Sequence, residues 1–332
     1  MPLELYISLA AFLLSGVAFT VALAVPGTRA IRVAAYVLQA SGVAMGLYYF
    51  GHEWLAVGYP PLRNLFESLT IMAILASGWN LVQAIFRPVA ILGPMTGFLS
   101  ALLMAGASQF EGPSEVTMPA LQHSLWLTTH VLLIMLAYVA VLISALVAMA
   151  LIAGRRGFNR VASLGVFSLV LSGCLGALVI ILLRTWGVIS LEDRASIGGT
   201  IIAVAFVGGS LLLPLLYGLA SKLGIFAAFE DNPALEDFLY RTALIALPLT
   251  TLGIITGSVW GDVAWGRYWG WDPKEVWALV TWISLLEYLH LRRLGERAQL
   301  AAKWVLVAGL LTVLFNYFGV NFLLAGLHSY AG

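Results

Sequence analysis

Charge is scarce in this sequence: 17 basic and 16 acidic residues are spread over 332 positions, 10% of the chain. A water-soluble domain of this size needs roughly a quarter of its residues charged to cover its surface, so an ordinary soluble protein is excluded. Cysteine is almost absent too. The one cysteine, Cys174, stands inside an apolar run, which excludes an internal disulfide, CxxC redox chemistry and thioether cofactor attachment through CxxCH. A net charge of +1 leaves no polyanion footprint and no case for nucleic-acid binding. No Lys or Arg precedes the first apolar segment, Leu3 to Val25, which is too long for a signal-peptide core and reads as a retained first helix.

Hydrophobic residues make up 61% of the chain, and the mean hydropathy is +0.96. A helix needs about 20 apolar residues to cross the hydrocarbon core, where only helices and closed barrels satisfy their backbone groups. The runs are too long for barrel strands and predict spans near 3–25, 31–50, 65–86, 89–108, 124–153, 161–184, 198–220, 238–259, 274–292 and 302–323. The expected fold is all-α, a polytopic transmembrane helix bundle of about ten helices, one integral membrane domain over 1–332 with no soluble domain. With that topology one set of loops holds Arg29, Arg32, Arg87, Arg155, Arg156, Arg160, Lys222, Arg241, Arg292, Arg293, Arg297 and Lys303. The other holds Arg63, Arg184, Arg194, Arg267 and Lys274, and twelve against five puts both termini on the extracytoplasmic side.

On that side falls an external tryptophan-rich loop, expected over 257–275. The segment GSVWGDVAWGRYWGWDPKEVWALVTW carries six of the eleven tryptophans: Trp260, Trp265, Trp269, Trp271, Trp277 and Trp282. One reading is an interfacial aromatic belt. A belt would spread over many helix ends, whereas Trp265, Tyr268, Trp269 and Trp271 lie within seven positions, interleaved with Gly266 and Gly270. Small residues between flat ones let the backbone fold close and present ring faces to a large, flat, apolar ligand. Asp272, Pro273, Lys274 and Glu275 spell a capping box that opens a helix, with direct ligand contact by Asp272 as the other reading. Asn64 and Glu67 in PPLRNLFESL repeat the arrangement.

Five histidines remain. His290 lies 18 residues after Asp272, about 27 Å along a helix, which puts it near the cytoplasmic end. His130, His328, His52 and His123 fall outside. A lone histidine in a membrane protein serves packing or the interface, but ionisable groups in apolar surroundings also mark functional sites. Two external imidazoles beside an aromatic shelf suit the iron of a porphyrin, since neutral imidazole is a preferred haem ligand. Zinc fits less well, because no HExxH and no thiolate set accompanies them. Glu287, three residues before His290, either orients that imidazole or contacts another helix.

At these residues the sequence resembles the CcsA (ResC-type) family of cytochrome c biogenesis proteins, the membrane haem-handling subunit of system II. WGRYWGWDPKEVWALVTW fits the family's "WWD" signature, and EYLH with Arg292, VNFLLAGLHSYA, NLFESL and LQHSLWLTTHV match in the family's order, together covering residues 64–330. The resemblance implies His130 and His328 as external haem-iron ligands and His290 as the inner one. It puts the haem-contacting loop on Trp265 to Asp272, with Trp265, Gly266, Tyr268, Trp269, Trp271 and Asp272 at the macrocycle; beside them Arg267 and Lys274 read as partners of the propionates or as lipid-headgroup contacts, and Glu275 completes the expected cofactor-binding set. His123 stands where the family's segment has a small polar residue, and His52 matches no family ligand.

The resemblance further implies a separate CcsB/ResB-type partner with an external domain. A second axial ligand for an inner haem would come from it, because no other histidine of this chain lies on the cytoplasmic side. Haem b, as substrate, would move from the inner face to the loop and meet the thiols of a CxxCH apocytochrome c. The chain would then act as part of a holocytochrome c synthase (cytochrome c haem lyase) complex in a cytoplasmic (inner) or thylakoid-type membrane. The rivals are a haem transporter without synthase activity, a system I WWD-type delivery protein, and a b-type electron-transfer subunit.

Overall fold

Apolar runs that must satisfy every backbone group internally coil into helices, and the computed structural model shows them as such. It describes residues 1–25, 27–62, 64–108, 110, 125–155, 157–169 and 225–324, with 172, 208, 211, 214–215, 217–219, 221–222 and 326. The long helices are α1 (Leu3–Ala24), α2 (Arg29–Val57), α3 (Leu65–Phe86), α4 (Leu92–Ala107), α5 (Leu125–Gly154), α6 (Pro233–Trp265), α7 (Pro273–Arg293) and α8 (Gln299–Leu314). Among the described residues six helical stretches are long and apolar enough to cross a membrane: α1, α2, α3, α5, α6 and Glu296–Gly319. The expected spans at 161–184 and 198–220 fall largely outside the described residues.

Two helices outrun their apolar cores. α2 continues from the expected residue 50 to Val57 and ends at Gly58, whose φ of 85° is the left-handed stop that glycine adopts without strain. α6 runs on to Trp265, well past the expected end at 259, so residues 257–265 of the expected loop are helical. Hydropathy marks only the part that suits hydrocarbon, whereas helical hydrogen bonding extends beyond it.

The described chain divides into two units, Met1–Ile143 with Pro248–Gly270, and Ser144–Leu247 with Trp271–Gly332. In the first, α1 packs on α2 and α4, and α3 packs on α2 and α4. Lipid removes the hydrophobic drive between helices, so close backbone approach and hydrogen bonds hold them instead. Gly97 approaches the Gly16 backbone so tightly that a Cβ would lie 2.8 Å from it. Ser8 and Ser15 of α1 donate to the Gly42 and Ala35 carbonyls of α2 at 3.0 and 2.9 Å. At the centre the fully buried Gln39 amide donates to Ser77 at 3.2 Å and Thr96 at 3.0 Å, while its oxygen accepts from Asn80 at 2.7 Å. Ser77 donates in turn to Ser100 at 2.7 Å, and α2, α3 and α4 are thereby joined by one satisfied polar cluster.

In the second unit Arg160 closes the end of α5, donating to the carbonyls of Ala153, Gly154 and Arg155 at 2.8, 2.9 and 3.0 Å. α7 and α8 pack together, with the Thr281 and Thr312 hydroxyls 2.9 Å apart. Glu236, in the first turn of α6, accepts from Arg292 at the end of α7 at 3.0 Å and from the buried Lys303 of α8. The last long helix passes through a π-turn, Phe315–Gly319, before the short helix Val320–Leu323. The Trp277 ring lies against Phe315 at 4.4 Å, and the buried Asn321 amide donates to the Tyr317 carbonyl at 2.6 Å.

Candidate functional site

His130 lies in the second turn of α5, half-buried. Its Nδ1 stands 2.6 Å from the Gly253 carbonyl oxygen of α6. A carbonyl only accepts, so Nδ1 carries the proton, and in the neutral ring the lone pair lies on Nε2. Metal-ligating histidines are oriented in this way, by a carbonyl or carboxylate behind the ring. Gly253 carried no sequence signal, because its role uses the backbone and its partner is 123 residues away.

The Trp-rich segment begins while α6 is still helical. Trp260 is buried at 2% exposure, and Trp265 meets it edge to face with centroids 4.7 Å apart. Gly266, with φ at 70°, ends the helix, its N–H bonded to the Asp262 carbonyl at 2.8 Å. The chain folds back so that the Arg267 carbonyl would lie 3.3 Å from a Cβ at Gly261, and the Arg267 Nε only 2.8 Å from one at Gly270. Tyr268 is left 60% exposed, with Trp269 half-buried. In this unit Trp265 packs under the fold-back, against Trp260 and beside Gly261, and Tyr268 is its open ring.

Across the next peptide bond, in the other unit, Trp271 is 72% exposed and has φ at 56°. A bulky side chain in the left-handed region is strained, and such residues cluster at functional sites. Asp272, 5% exposed, caps α7. Its carboxylate accepts from the Lys274 N–H at 3.2 Å, and its own N–H donates to Glu275 Oε2 at 3.0 Å, with Pro273 in the first helical turn. Gly326 backs onto this carboxylate: a Cβ there would lie 2.6 Å from Asp272 Oδ1. The equivalent cap on α3 is present as well, with Asn64 accepting from the Glu67 N–H at 2.8 Å. Replacing Trp271 with Gly is expected to stabilise the protein by about 0.5–1 kcal/mol, since relief of left-handed strain outweighs the entropy that glycine adds to the unfolded chain. Thermal unfolding of the purified variant checks this, and a lowered midpoint would contradict it.

His290 is exposed on α7, on the face opposite the buried Thr281, Leu285 and Tyr288. Glu287 is exposed one turn before it, and among the described residues no hydrogen bond joins the two. Of the two readings of Glu287, orienting this imidazole or contacting another helix, the first is not made by a bond between these side chains. Exposed ionisable residues on a helix of a membrane protein need a cover other than hydrocarbon. His52, on the extension of α2, is exposed, with its Nδ1 3.8 Å from Glu53 Oε1. His123 and His328 lie outside the described residues.

Six apolar helices among the described residues, polar contacts between them and a strained aromatic segment beside a capped helix define a polytopic integral membrane protein. The model of the family described as cytochrome C assembly protein matches residues 62–328. The chain is similar to the cytochrome c biogenesis protein CcsA of Microcystis aeruginosa, 34% identical over 303 residues, which covers 84% of this chain and 82% of the relative. CcsA of Synechococcus elongatus is 33% identical over 294 residues with the same coverage. CcsA of Trieres chinensis is 32% identical over 297, covering 85% of this chain and 81% of the relative. The chain belongs to the CcsA family of cytochrome c assembly proteins. Its role lies in cytochrome c biogenesis.

Proposed function

We propose that this chain binds haem as its substrate, holds it on the extracytoplasmic Trp segment with His130 and His328 as iron ligands, and presents it to a reduced CxxCH apocytochrome c. The carrying observation is His130 itself, whose Nδ1–H is taken by the Gly253 carbonyl so that the lone pair for iron lies on Nε2. Tyr268 and Trp271 are each an exposed ring that would meet the macrocycle, with the exposed Arg267 and the half-buried Lys274 as the cations that would pair with its propionates. Gly326, two residues before His328, supports the reading by its contact with the Asp272 carboxylate at the base of the same segment. Each thiol adds across one haem vinyl group, sulfur bonding to one vinyl carbon and the proton going to the other, so two thioethers form without an oxidant. The contribution of the chain is confinement, which turns a bimolecular encounter into an intramolecular one.

Orientation follows from the arginine and lysine bias, twelve against five, with both termini and the Trp segment extracytoplasmic. Haem then enters near His290 on the cytoplasmic side. The exposed Glu287–His290 face suits the CcsB/ResB-type partner, which supplies the second inner ligand. The test is an absorption spectrum of the purified chain, followed by thioether formation on a CxxCH peptide. His130→Gly and His328→Gly are each expected to remove the extracytoplasmic haem signal and cytochrome c maturation. Full haem occupancy with normal maturation in both variants would end the proposal.

A further inference from the structure

Behind the imidazole of His130, α6 carries the sequence Gly253-Ile-Ile-Thr-Gly257, two glycines one helical turn apart and facing α5. Side chains one turn apart on α5, His130 and Ile134, enter the groove these glycines leave. A Cβ on Gly257 would lie 2.5 Å from both Nδ1 and Cε1 of His130, so any side chain there displaces the ring. On Gly253 the three atoms nearest to a Cβ all belong to Ile134, with Cγ1 at 2.7 Å. The two glycines therefore divide the work: Gly257 gives the ring its place, and Gly253 admits the neighbouring isoleucine while its carbonyl takes the Nδ1 proton at 2.6 Å.

We infer that the Gly253–Gly257 groove is the element that positions His130 for its ligand, with Gly257 a positioning residue for the external haem iron. The inference rests on the proposed function and deepens it. The seat acts at the Nδ1–Cε1 edge of the ring: the carbonyl sets which nitrogen is presented, and the missing Cβ sets where it is presented. The anchor is a neutral carbonyl and not a carboxylate, so the imidazole it holds is a moderate donor, suited to iron that must be handed on. A carboxylate behind the ring would raise its basicity and bind the iron harder.

The experiment compares variants of the full chain, purified from membranes, by haem content, absorption spectrum and reduction potential. The absorption component lost in His130→Gly defines the site. Gly257→Ala is expected to lower occupancy of that component on the order of 10- to 100-fold, the usual effect of disturbing the group behind a metal ligand, and to shift the potential of what remains. Gly253→Ala should be repaired by Ile134→Ala, whereas Gly257→Ala should not. If Gly257→Ala lowers the yield of folded protein, the pair Gly257→Ala with His130→Gly removes the clash and is expected to unfold at the temperature of His130→Gly alone. A Gly257→Ala protein with wild-type occupancy and potential, or a double variant still less stable than His130→Gly, would overturn the inference while leaving the proposed function standing. A His130→Gly protein that loses no haem component would instead remove the proposed function, and the inference with it.

Discussion

Glu236→Ala is expected to destabilise the protein by about 3 kcal/mol, because it strands two cations and relieves none. Arg292 and Lys303 share that one carboxylate, and their side chains are only 21% and 4% exposed. Breaking a buried pair from one side costs more than the pair contributes, since the remaining charge keeps its desolvation penalty. Partial exposure of Arg292 places the figure at the low end of the usual range. Lys303→Met is the instructive comparison: it removes the deepest charge and keeps the 3.0 Å Glu236–Arg292 contact, so its cost should stay under about 1 kcal/mol. Thermal unfolding of both variants in the same detergent checks the order. Equal losses would mean that the lysine, and not the shared carboxylate, holds the three helices. The cluster sits two residues from His290 on the opposite side of α7, so it braces the helix that carries this histidine from behind.

Asp272→Ala is expected to lower stability by about 1–2 kcal/mol and, under the proposed function, to remove haem from the Trp segment, because the start of α7 and the base of that segment depend on one carboxylate. Asp272→Asn should keep most of both, since asparagine caps a helix as well as aspartate does. Haem content and unfolding temperature, measured side by side, separate the two roles open for this residue. Loss of haem in Asp272→Asn at unchanged stability would show that the negative charge meets the ligand. Retention would show that the residue acts through the cap.

What could be read from the residues was local. The caps at Asp272 and Asn64 join groups two or three positions apart, so spacing alone announces them. Helix locations followed from apolar runs for the same reason, while the ends at Val57 and Trp265 did not, because hydrogen bonding does not stop where hydropathy does. Hidden features were those made of distant partners. Gln39 looks like one polar residue in an apolar run until α3 and α4 bring Ser77, Asn80 and Thr96 to it. Glu236 and Arg292 lie 56 positions apart. Gly253 and Gly257 were visible as small residues but not as a seat, because the ring they admit arrives from another helix. Among the aromatics, composition could not tell the buried Trp260 from the exposed and strained Trp271.

The π-turn at Phe315–Gly319 bears on how a chain of this family can change length. A π-turn is an α-helix carrying one surplus residue, absorbed as a local bulge. Most single-residue deletions in a packed helix turn everything beyond them by about 100° and swap its faces. Here a deletion would discharge the bulge and straighten the helix, so this is the point in the final span where residue number and register are separable. Lineages could gain or lose a residue at this place while Gly326 and the Asp272 carboxylate stay within reach of each other.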